Sequence, residues 1–422
     1  MKKRVIAQVA ALGCLMFADV AAEQTSLDQQ PSCWIEADYL LWFIKKNPLP
    51  VPLLTTASFA DPLPGAIGQK GTHVKLGRDH VHMGWMNGFR VGVGGAVSPH
   101  FEMEGSYFLL PTVSKKRSFR TSGEPGSRNF AVPIFDVTGV CGLKGVPGET
   151  IFILPGPLDG DPGFFGKFDL RLTSRLQGAE AIGLYQLFEG ESFHLQGLGG
   201  FRWLQLHESL LFKAKTHSIP GVPFPPGFFN FSDRFSTWNN FLGAEFGIGG
   251  KYLREKWKLE GKIKGALGAV LEQVKIHGTS RTSGGNLFFE TKGTANQTLP
   301  GGIFAQPTNR GRHNRNAFAY AFEARIDTGY NFTRNLSVDL GYTFLWLSQV
   351  LRPGKQIDRK INTTLTALAD ASRKTVGTGP GPIPFGDSAG APAPRGSKKP
   401  RVPFKTSSFY AQGLEVGVTV AF

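Results

Sequence analysis

The sequence alternates apolar with small or polar residues in segment after segment, a two-residue period that a β-strand converts into two distinct faces. The chain closes on such a segment, LEVGVTVAF. Its apolar face, extended backwards, consists of Tyr410, Leu414, Val416, Val418, Val420 and Phe422. A soluble antiparallel strand would alternate in the same way, so the fold class depends on the other strands and on what joins them.

The same pattern predicts strands along most of the chain. In IEADYLLWF (35–43) and SVDLGYTFLWL (337–347), apolar side chains face one way and charged or small ones the other. The second of these stretches lies in a predicted strand at 336–350, and the remaining predicted strands are 84–97, 101–110, 167–187, 193–211, 235–250, 256–275, 317–332 and the C-terminal segment. Alternation is least regular in 167–187 and 193–211, and it leaves the facing of these two strands open.

The connections alternate between short and long. Short turns are predicted at Ser98–His100, Glu189–Ser192, Lys251–Glu255 and Thr333–Asn335, and long loops at 45–83, 111–166, 212–234, 276–316 and 351–407. This asymmetry is typical of barrels that cross an outer membrane, with short periplasmic turns and long extracellular loops. We therefore expect an all-β fold, a transmembrane antiparallel up-and-down β-barrel of about ten strands, or twelve if a long loop conceals a hairpin. An apolar run of helix-spanning length is found nowhere beyond the N-terminus, which excludes a helical membrane protein.

The N-terminus has the pattern of an export signal. Lys2, Lys3 and Arg4 precede an apolar run from Val5 to Phe17, and small residues follow at Ala21 and Ala22. Cys14 leaves lipid attachment open as an alternative to simple cleavage. The expected organisation is a signal peptide at 1–22, a short periplasmic segment at 23–33 and one barrel domain at 34–422.

Charged residues are predicted on the inward faces of the strands, which would make a charged lumen. The predicted lumen-lining residues are Glu36, Asp38, Arg90, Glu102, Glu104, Glu245, Lys262, Lys264, Glu323, Arg325, Asp339 and Glu415. Opposite charges on neighbouring strands would pair. The pattern allows either a closed, salt-bridged interior or a narrow wet passage. Arginine at outward Leu340 is expected to destabilise the barrel, whereas inward Gly341 is expected to tolerate it.

Basic residues are concentrated in the predicted extracellular loops. They far outnumber acidic residues between 352 and 407, and SKKRSFR (114–120) adds to them, within a chain of net charge +15. We expect this rim to attract anionic lipopolysaccharide or anionic solutes. In IDRKINTTLTALADASRK, the spacing of Ile357, Ile361, Leu365 and Leu368 predicts a short helix over or inside the barrel mouth. Nucleic acid is excluded as a partner because the protein is exported.

Catalytic, metal and cofactor sites are not predicted. The sequence GDSAG (386–390) matches a nucleophile-elbow pattern, but it lies in a Gly/Pro-rich stretch without the strand and helix that this motif needs. His80 and His82 lack further ligands at a fixed spacing. We therefore expect a protein that is not an enzyme.

Several stretches resemble the family of outer-membrane proteins described as putative β-barrel porin type 7. They occur in order from about residue 34 to the C-terminus: DYLLWFIKKNPLPVPLLTT, HFEMEGSYFLL, GFRWLQLHESL, FSTWNNFLGAEFGI, LRPGKQIDRKIN and PRVPFKTSSFYAQGLEVGV. Lys355 stands where the family usually has aspartate. The resemblance implies a barrel in the bacterial outer membrane and a narrow porin-like channel for small solutes. The alternative is a non-conducting structural or adhesin-like barrel. The C-terminal strand resembles the signal that barrel-assembly machinery recognises.

Overall fold

A closed barrel of ten antiparallel strands forms the protein in the computed structural model, which describes residues 33–141, 145–222, 227–283, 297–375 and 391–422. Each strand pairs with its neighbours in sequence, and the last strand pairs with the first, from Trp34 opposite Ala421 to Ile44 opposite Ala411. The strands are β1 (Cys33–Ile44), β2 (Trp85–Ser98), β3 (Phe101–Thr121), β4 (Asp161–Glu189), β5 (Phe193–Ser218), β6 (Phe228–Arg254), β7 (Trp257–Ser283), β8 (Gly311–Asn331), β9 (Leu336–Leu351) and β10 (Thr406–Ala421). The predicted fold class and strand number are confirmed.

The outer surface carries an apolar belt. Outward side chains in the belt are exposed although they are large and apolar, as with Phe201, Leu242, Ile263 and Phe318. Aromatic residues such as Tyr185, Phe193, Tyr252, Trp257 and Phe422 lie towards the short-turn end. This distribution matches a lipid-facing band with an aromatic girdle. Within the described residues, no helix is long and apolar enough to cross a membrane.

Several strands extend far beyond the residues whose apolar alternation predicts them. β3 continues to Thr121, β4 begins at Asp161, and β5 continues to Ser218. Much of the predicted loops 111–166, 212–234 and 276–316 is therefore strand. Backbone pairing continues above the lipid, where the outward side chains no longer need to be apolar, so the apolar period stops before the strand does.

Short elements lie in the extracellular loops. The short strands are Asn47–Leu49, Leu54–Ala57, Val74–Leu76, Asp79–Val81, Asn129–Ala131, Pro133–Asp136, Gly148–Ile151, Gly156–Leu158, Gln297–Leu299 and Lys360–Ile361. Two 3-10 turns occupy Pro353–Gln356 and Thr363–Leu365, and one helix, α1, spans Ala367–Thr375.

The predicted helix in 357–373 is wrong in its extent. Ile361 lies in a short strand that pairs with Pro133–Asp136, and only the part from Ala367 onwards is α-helical. Ile357, Ile361 and Leu368 are nevertheless buried. Their apolar spacing reflects burial among several loops rather than one helical face. The predicted signal peptide, Cys14 and the 386–390 motif lie outside the described residues.

Candidate functional site

The interior of the barrel is divided into two layers along its axis. The periplasmic half contains the charged residues, and the extracellular half contains mainly large apolar side chains. On β1, for example, Glu36 and Asp38 lie in the lower layer, whereas Leu40 and Trp42 above them are fully buried. We call the lower part the ionic layer. Every residue predicted to line the lumen lies on an inward face and belongs to it.

Arg202 on β5 lies at the centre of the largest ion-pair cluster in the ionic layer. Its guanidinium contacts the carboxylates of Glu180 on β4, Glu245 on β6, at 2.8 Å, and Glu323 on β8, at 2.7 Å. Lys264 on β7 joins Glu180 and Glu323, at 2.7 and 2.8 Å. These contacts span the lumen rather than only adjacent strands, so they draw the walls together across the barrel axis.

A second cluster surrounds Arg325 on β8. Its guanidinium contacts Glu36 at 2.5 Å, Asp327 at 2.9 Å and Glu415 at 3.3 Å. Arg90 on β2 also binds Glu415, at 2.9 Å. The Arg325 guanidinium therefore links β1 and β10, the two strands whose pairing closes the barrel.

Smaller pairs complete the ionic layer at the periplasmic end. Lys262 binds Glu104 and Glu260, at 2.8 and 3.0 Å, and Lys258 binds Asp339 at 2.8 Å. Carboxylates outnumber cations in this layer. Its net charge is therefore opposite in sign to that of the whole chain.

The sequence did not identify Glu180 and Arg202, although they hold the largest cluster together. Both lie on the two strands whose facing the alternation left open. The signal available was pairing: Glu180 lies directly opposite Arg202 in the β4–β5 register, a cross-strand pair of opposite charge.

Loop residues fill the extracellular half of the barrel. Leu53, Ile134, Phe304 and Ile361, from four different loops, are at most 1% exposed and pack with inward strand residues such as Phe212 and Phe241 in one apolar cluster. We call these inserted loop segments the loop plug. Its packing is that of a protein core rather than of a water-filled pore.

Buried polar contacts attach the loop plug to the wall formed by β5 and β6. Glu208 binds Arg352 through two oxygens, at 2.5 and 3.0 Å, and both side chains are fully buried. Asn239 donates to the carbonyl of Leu351, the last residue of β9 directly before the final loop, and accepts from its amide, at 3.0 and 2.7 Å. Asp233 accepts from the backbone amides of Ile303, Phe304 and Ala305, at 3.0–3.1 Å. These strand residues satisfy groups of the loops and of the end of β9 that would otherwise be buried without partners.

The histidines that were considered as possible metal ligands lie in a loop. His80 is in the short strand Asp79–Val81, where Asp79 is paired with Arg117. Over the residues that the structure describes, no group of three or more His, Cys, Asp or Glu is arranged to hold a metal.

The predicted assembly-signal residues lie on the lipid-facing side of β10. Leu414, Val416, Val418 and Phe422 are exposed, and Tyr410 and Val420 are half-buried. The strand carrying them pairs with both β9 and β1.

Comparison with solved structures finds outer-membrane proteins of low sequence identity. The outer membrane protease OmpT from Escherichia coli is 10% identical, with 94% of this chain and 99% of that chain covered and a TM-score of 0.38. A Pseudomonas aeruginosa FadL homologue is 9% identical, covering 93% and 91%, with a TM-score of 0.22. A mutant of the monoaromatic hydrocarbon channel TodX is 9% identical, covering 94% and 91%, with a TM-score of 0.21.

Sequence comparison identifies the family to which the chain belongs. None of the curated proteins matches the chain. The sequence profile of the family described as "Putative beta barrel porin-7" matches residues 34–422, which is the whole barrel from its first strand to its last residue. The chain belongs to this family and is a bacterial outer-membrane β-barrel protein.

Proposed function

We propose that the protein is an outer-membrane barrel that is closed at rest, a non-conducting structural or surface-interaction barrel that displays folded loops outside the cell. The observation that carries this proposal is the loop plug. Apolar residues from several loops pack inside the extracellular half of the lumen, with exposures of Leu53, Phe304 and Ile361 at 0%. A hydrated ion needs a wet path, and tightly packed apolar side chains exclude water.

The ionic layer supports the same proposal. Arg202 and Arg325 each bind carboxylates from several strands, so they occupy the space through which a solute would pass. Barrels of about ten strands leave little interior beyond what side chains fill, whereas wide aqueous channels have about 16–18 strands.

A narrow channel for small solutes is the second candidate, and it is favoured by the word porin in the family's description. Such a channel would require the loop plug to leave the lumen. Carboxylates outnumber cations in the ionic layer, so an opened passage would prefer cations at that level. The loop cations Lys398, Lys399 and Arg401, by contrast, predict enrichment of anions at the entrance.

Planar-bilayer conductance tests the proposal. The wild-type barrel is expected to give no steps above the empty-bilayer baseline, and steady steps from the wild type would overturn the closed-barrel proposal. Deletion of 357–373 tests the channel, because Ile361 and Leu368 belong to the loop plug. Steps from this variant would reveal a latent channel, whereas silence would leave the structural barrel. Deletion of the exposed residues 124–126 is the matched control.

We infer that the barrel has no catalytic activity. The carboxylates that bind Arg202 and Arg325 are engaged in ion pairs, and the family is described as a porin. Incubation of the folded barrel with a mixed peptide library should leave the peptides intact. Specific cleavage that is lost in an Asp38→Asn or Glu36→Gln variant would contradict this inference.

Two partners predicted from the sequence remain part of the proposal. The exposed apolar face of β10 supports recognition by barrel-assembly machinery, and removal of Phe422 should lower the amount of folded barrel in the membrane. The cationic loops support attraction of lipopolysaccharide through charge alone. Neither partner depends on whether the lumen conducts.

A further inference from the structure

The barrel wall above the apolar belt carries a dense group of basic side chains on its outer face. They lie on the upper parts of β3, β4, β5 and β6. Six of them form what we call the basic wall patch: Arg120, Lys167, Arg171, Lys213, Lys215 and Arg234. Four of the six patch residues fall where the sequence pattern had predicted loops, and the two on β4 fall at the start of the predicted strand 167–187. All six point away from the lumen, because their neighbours in sequence, such as Phe168, Leu170 and Phe212, are buried inside.

Strand register places like charges directly beside one another in this patch. Arg120 lies opposite Lys167, which in turn lies opposite Lys215 on the next strand. Like charges directly opposite in a sheet destabilise it. One acidic side chain, Asp169, lies among them and contacts Lys167 at 3.8 Å.

Most of the patch has no compensating carboxylate. Among the described residues, Arg171, Lys215 and Arg234 take part in no ion pair, and Arg171, Lys213, Lys215 and Arg234 are exposed. Apart from the Asp169 carboxylate, only solvent and screening offset the repulsion within this part of the sheet, unless an anion binds. A bound anion would remove this repulsion.

The height of the patch indicates which anion fits. The outward amides of Gln177, Gln205 and Asn240 form a hydrogen-bonded row, with distances of 2.7 and 2.5 Å, where the apolar belt ends. With a strand rise of about 3.3 Å and a tilt of about 40°, Arg171 lies about 15 Å and Lys167 about 25 Å above this row. A phospholipid headgroup layer is only about 5–8 Å deep.

We propose that the basic wall patch binds the phosphate groups of lipopolysaccharide in the outer leaflet. Its tall, phosphorylated saccharide headgroup would contact the patch over its whole height, and its phosphates would neutralise adjacent cations on neighbouring strands. This site is on the barrel wall beside the lipid, separate from the cationic loops around Lys398. It rests on the outer-membrane location of the barrel and is independent of whether the lumen conducts.

Binding of purified rough lipopolysaccharide to the detergent-solubilised, folded barrel tests the proposal. The patch variant combines Arg171→Gln, Lys213→Gln, Lys215→Gln and Arg234→Gln. The control variant removes the same number of charges from exposed loop positions, with Lys70→Gln, Lys75→Gln, Arg78→Gln and Arg128→Gln. We expect affinity to fall at least about tenfold in the patch variant and less than about twofold in the control, because cations near an anionic surface each contribute substantially. Heat-modifiable migration on gels verifies that both variants are folded.

Two further probes identify the chemistry that is recognised. Enzymatically dephosphorylated lipopolysaccharide should bind at least about tenfold more weakly to the wild type, and phosphatidylglycerol vesicles should show a smaller difference between the patch and control variants than lipopolysaccharide does. Equal losses in the patch and control variants would overturn the proposal in favour of attraction by total charge. Unchanged binding in the patch variant, or equal binding of the dephosphorylated form, would also overturn it. If the patch and control variants differed as much in binding to phosphatidylglycerol vesicles as in binding to lipopolysaccharide, the proposed headgroup would be wrong.

Discussion

Glycine residues on the inward faces make room for the carboxylates of the ionic layer. Gly341 lies directly opposite Asp327 in the β8–β9 register, and Gly417 lies opposite Asp38 in the β1–β10 register. A Cβ atom at Gly341 would overlap the Asp327 carboxylate, and one at Gly417 would overlap that of Asp38. The expectation that Gly341 tolerates arginine is therefore wrong: the position faces the lumen, but an ion-paired side chain already occupies its space.

Replacement of Gly341 by alanine should destabilise the barrel by about 1–3 kcal/mol, because the added methyl group displaces Asp327 from Arg325. Equilibrium urea unfolding in lipid vesicles measures the change. Gly261→Ala is the matched control, since Gly261 lies on a lipid-facing position whose Cβ would meet nothing closer than 3.9 Å. Equal effects at both glycines would contradict the explanation from packing.

Substitution of Leu340 tests whether this face of β9 contacts lipid. Its side chain is 52% exposed, and arginine there should cost about 2–4 kcal/mol if it lies near the bilayer midplane. Arginine at outward Leu336, at the periplasmic end of the same strand, should cost only about 0–1 kcal/mol. Urea unfolding compares the two variants. A larger cost at Leu336 than at Leu340 would contradict the assigned membrane position.

The strand extensions and the loop plug stabilise each other. β5 and β6 continue above the apolar belt, where their inward residues Glu208 and Asp233 bind loop atoms and Asn239 binds the end of β9. Each such contact places a polar group of a strand inside an otherwise apolar region. The extensions therefore act as the wall of a second, soluble-like core that lies outside the membrane proper.

Removal of Arg352 should reveal how strongly the loop plug depends on its buried ion pair. Arg352→Met leaves the Glu208 carboxylate without its cation and should cost about 3–5 kcal/mol. The double variant Glu208→Gln/Arg352→Met should recover part of that loss, because Asn47 and Ser174 still bind the side chain at position 208. Urea unfolding measures both variants. If the double variant were less stable than the single one, the uncompensated charge would not be the cause.

The thiol of Cys141 reports on contact between two extracellular loops. It is buried, and burial together with the nearby Asp136 carboxylate raises the pKa of the Cys141 thiol to about 12. Thr363 from the last loop donates to Asp136 at 3.1 Å. Since the thiolate is the reactive form, an undisturbed Cys141 should react slowly with maleimide at pH 8.

Labelling followed by peptide mass spectrometry should show Cys141 at least about a hundredfold slower than a cysteine introduced at exposed Ser122 in the same loop. The reaction should accelerate as pH rises towards 12, because deprotonation of the thiol is unfavourable below that pH. Deletion of 357–373 should expose Cys141. Rapid labelling of the intact protein would contradict the packing between these loops.

Charge is segregated along the axis of the whole molecule. The chain has a net charge of +15, yet carboxylates outnumber cations in the ionic layer, so the basic surplus lies in the loops and on the outer wall. The first and last strands pair over eleven positions and close the sheet, which leaves no edge strand in the bilayer. A closed sheet of this kind unfolds only when many backbone hydrogen bonds break together.

The folded barrel should therefore survive dodecyl sulfate at room temperature and migrate faster on gels than the boiled sample. The measurement is a gel of unboiled and boiled samples from detergent or vesicles. Recovery of the protein as a sharp, monodisperse species without detergent would contradict a lipid-facing apolar belt.

The fold was predictable because a barrel imposes a local rule on every strand. Lipid on one side requires apolar side chains at alternate positions, and this is visible within each segment, as in Val416, Val418 and Val420. The inward charges on eight of the ten strands followed from the same alternation. This rule does not apply above the bilayer, because outward residues there need not be apolar. Strand pairing continues at that height although outward residues such as Lys213 are polar, so the alternation did not predict these parts of the strands.

The antiparallel sheet and the inward facing of most charges can be read from the sequence, because both depend on a two-residue period within a strand, and the lengths of the connections indicate its orientation in the membrane. Tertiary contacts alone establish which charges meet across the lumen, as with Arg202 and Glu323, and that loop residues such as Phe304 fill its outer half. Both depend on contacts between residues far apart in sequence, and no local period encodes them. The basic wall patch, too, exists only once strand register has placed Arg120, Lys167 and Lys215 side by side.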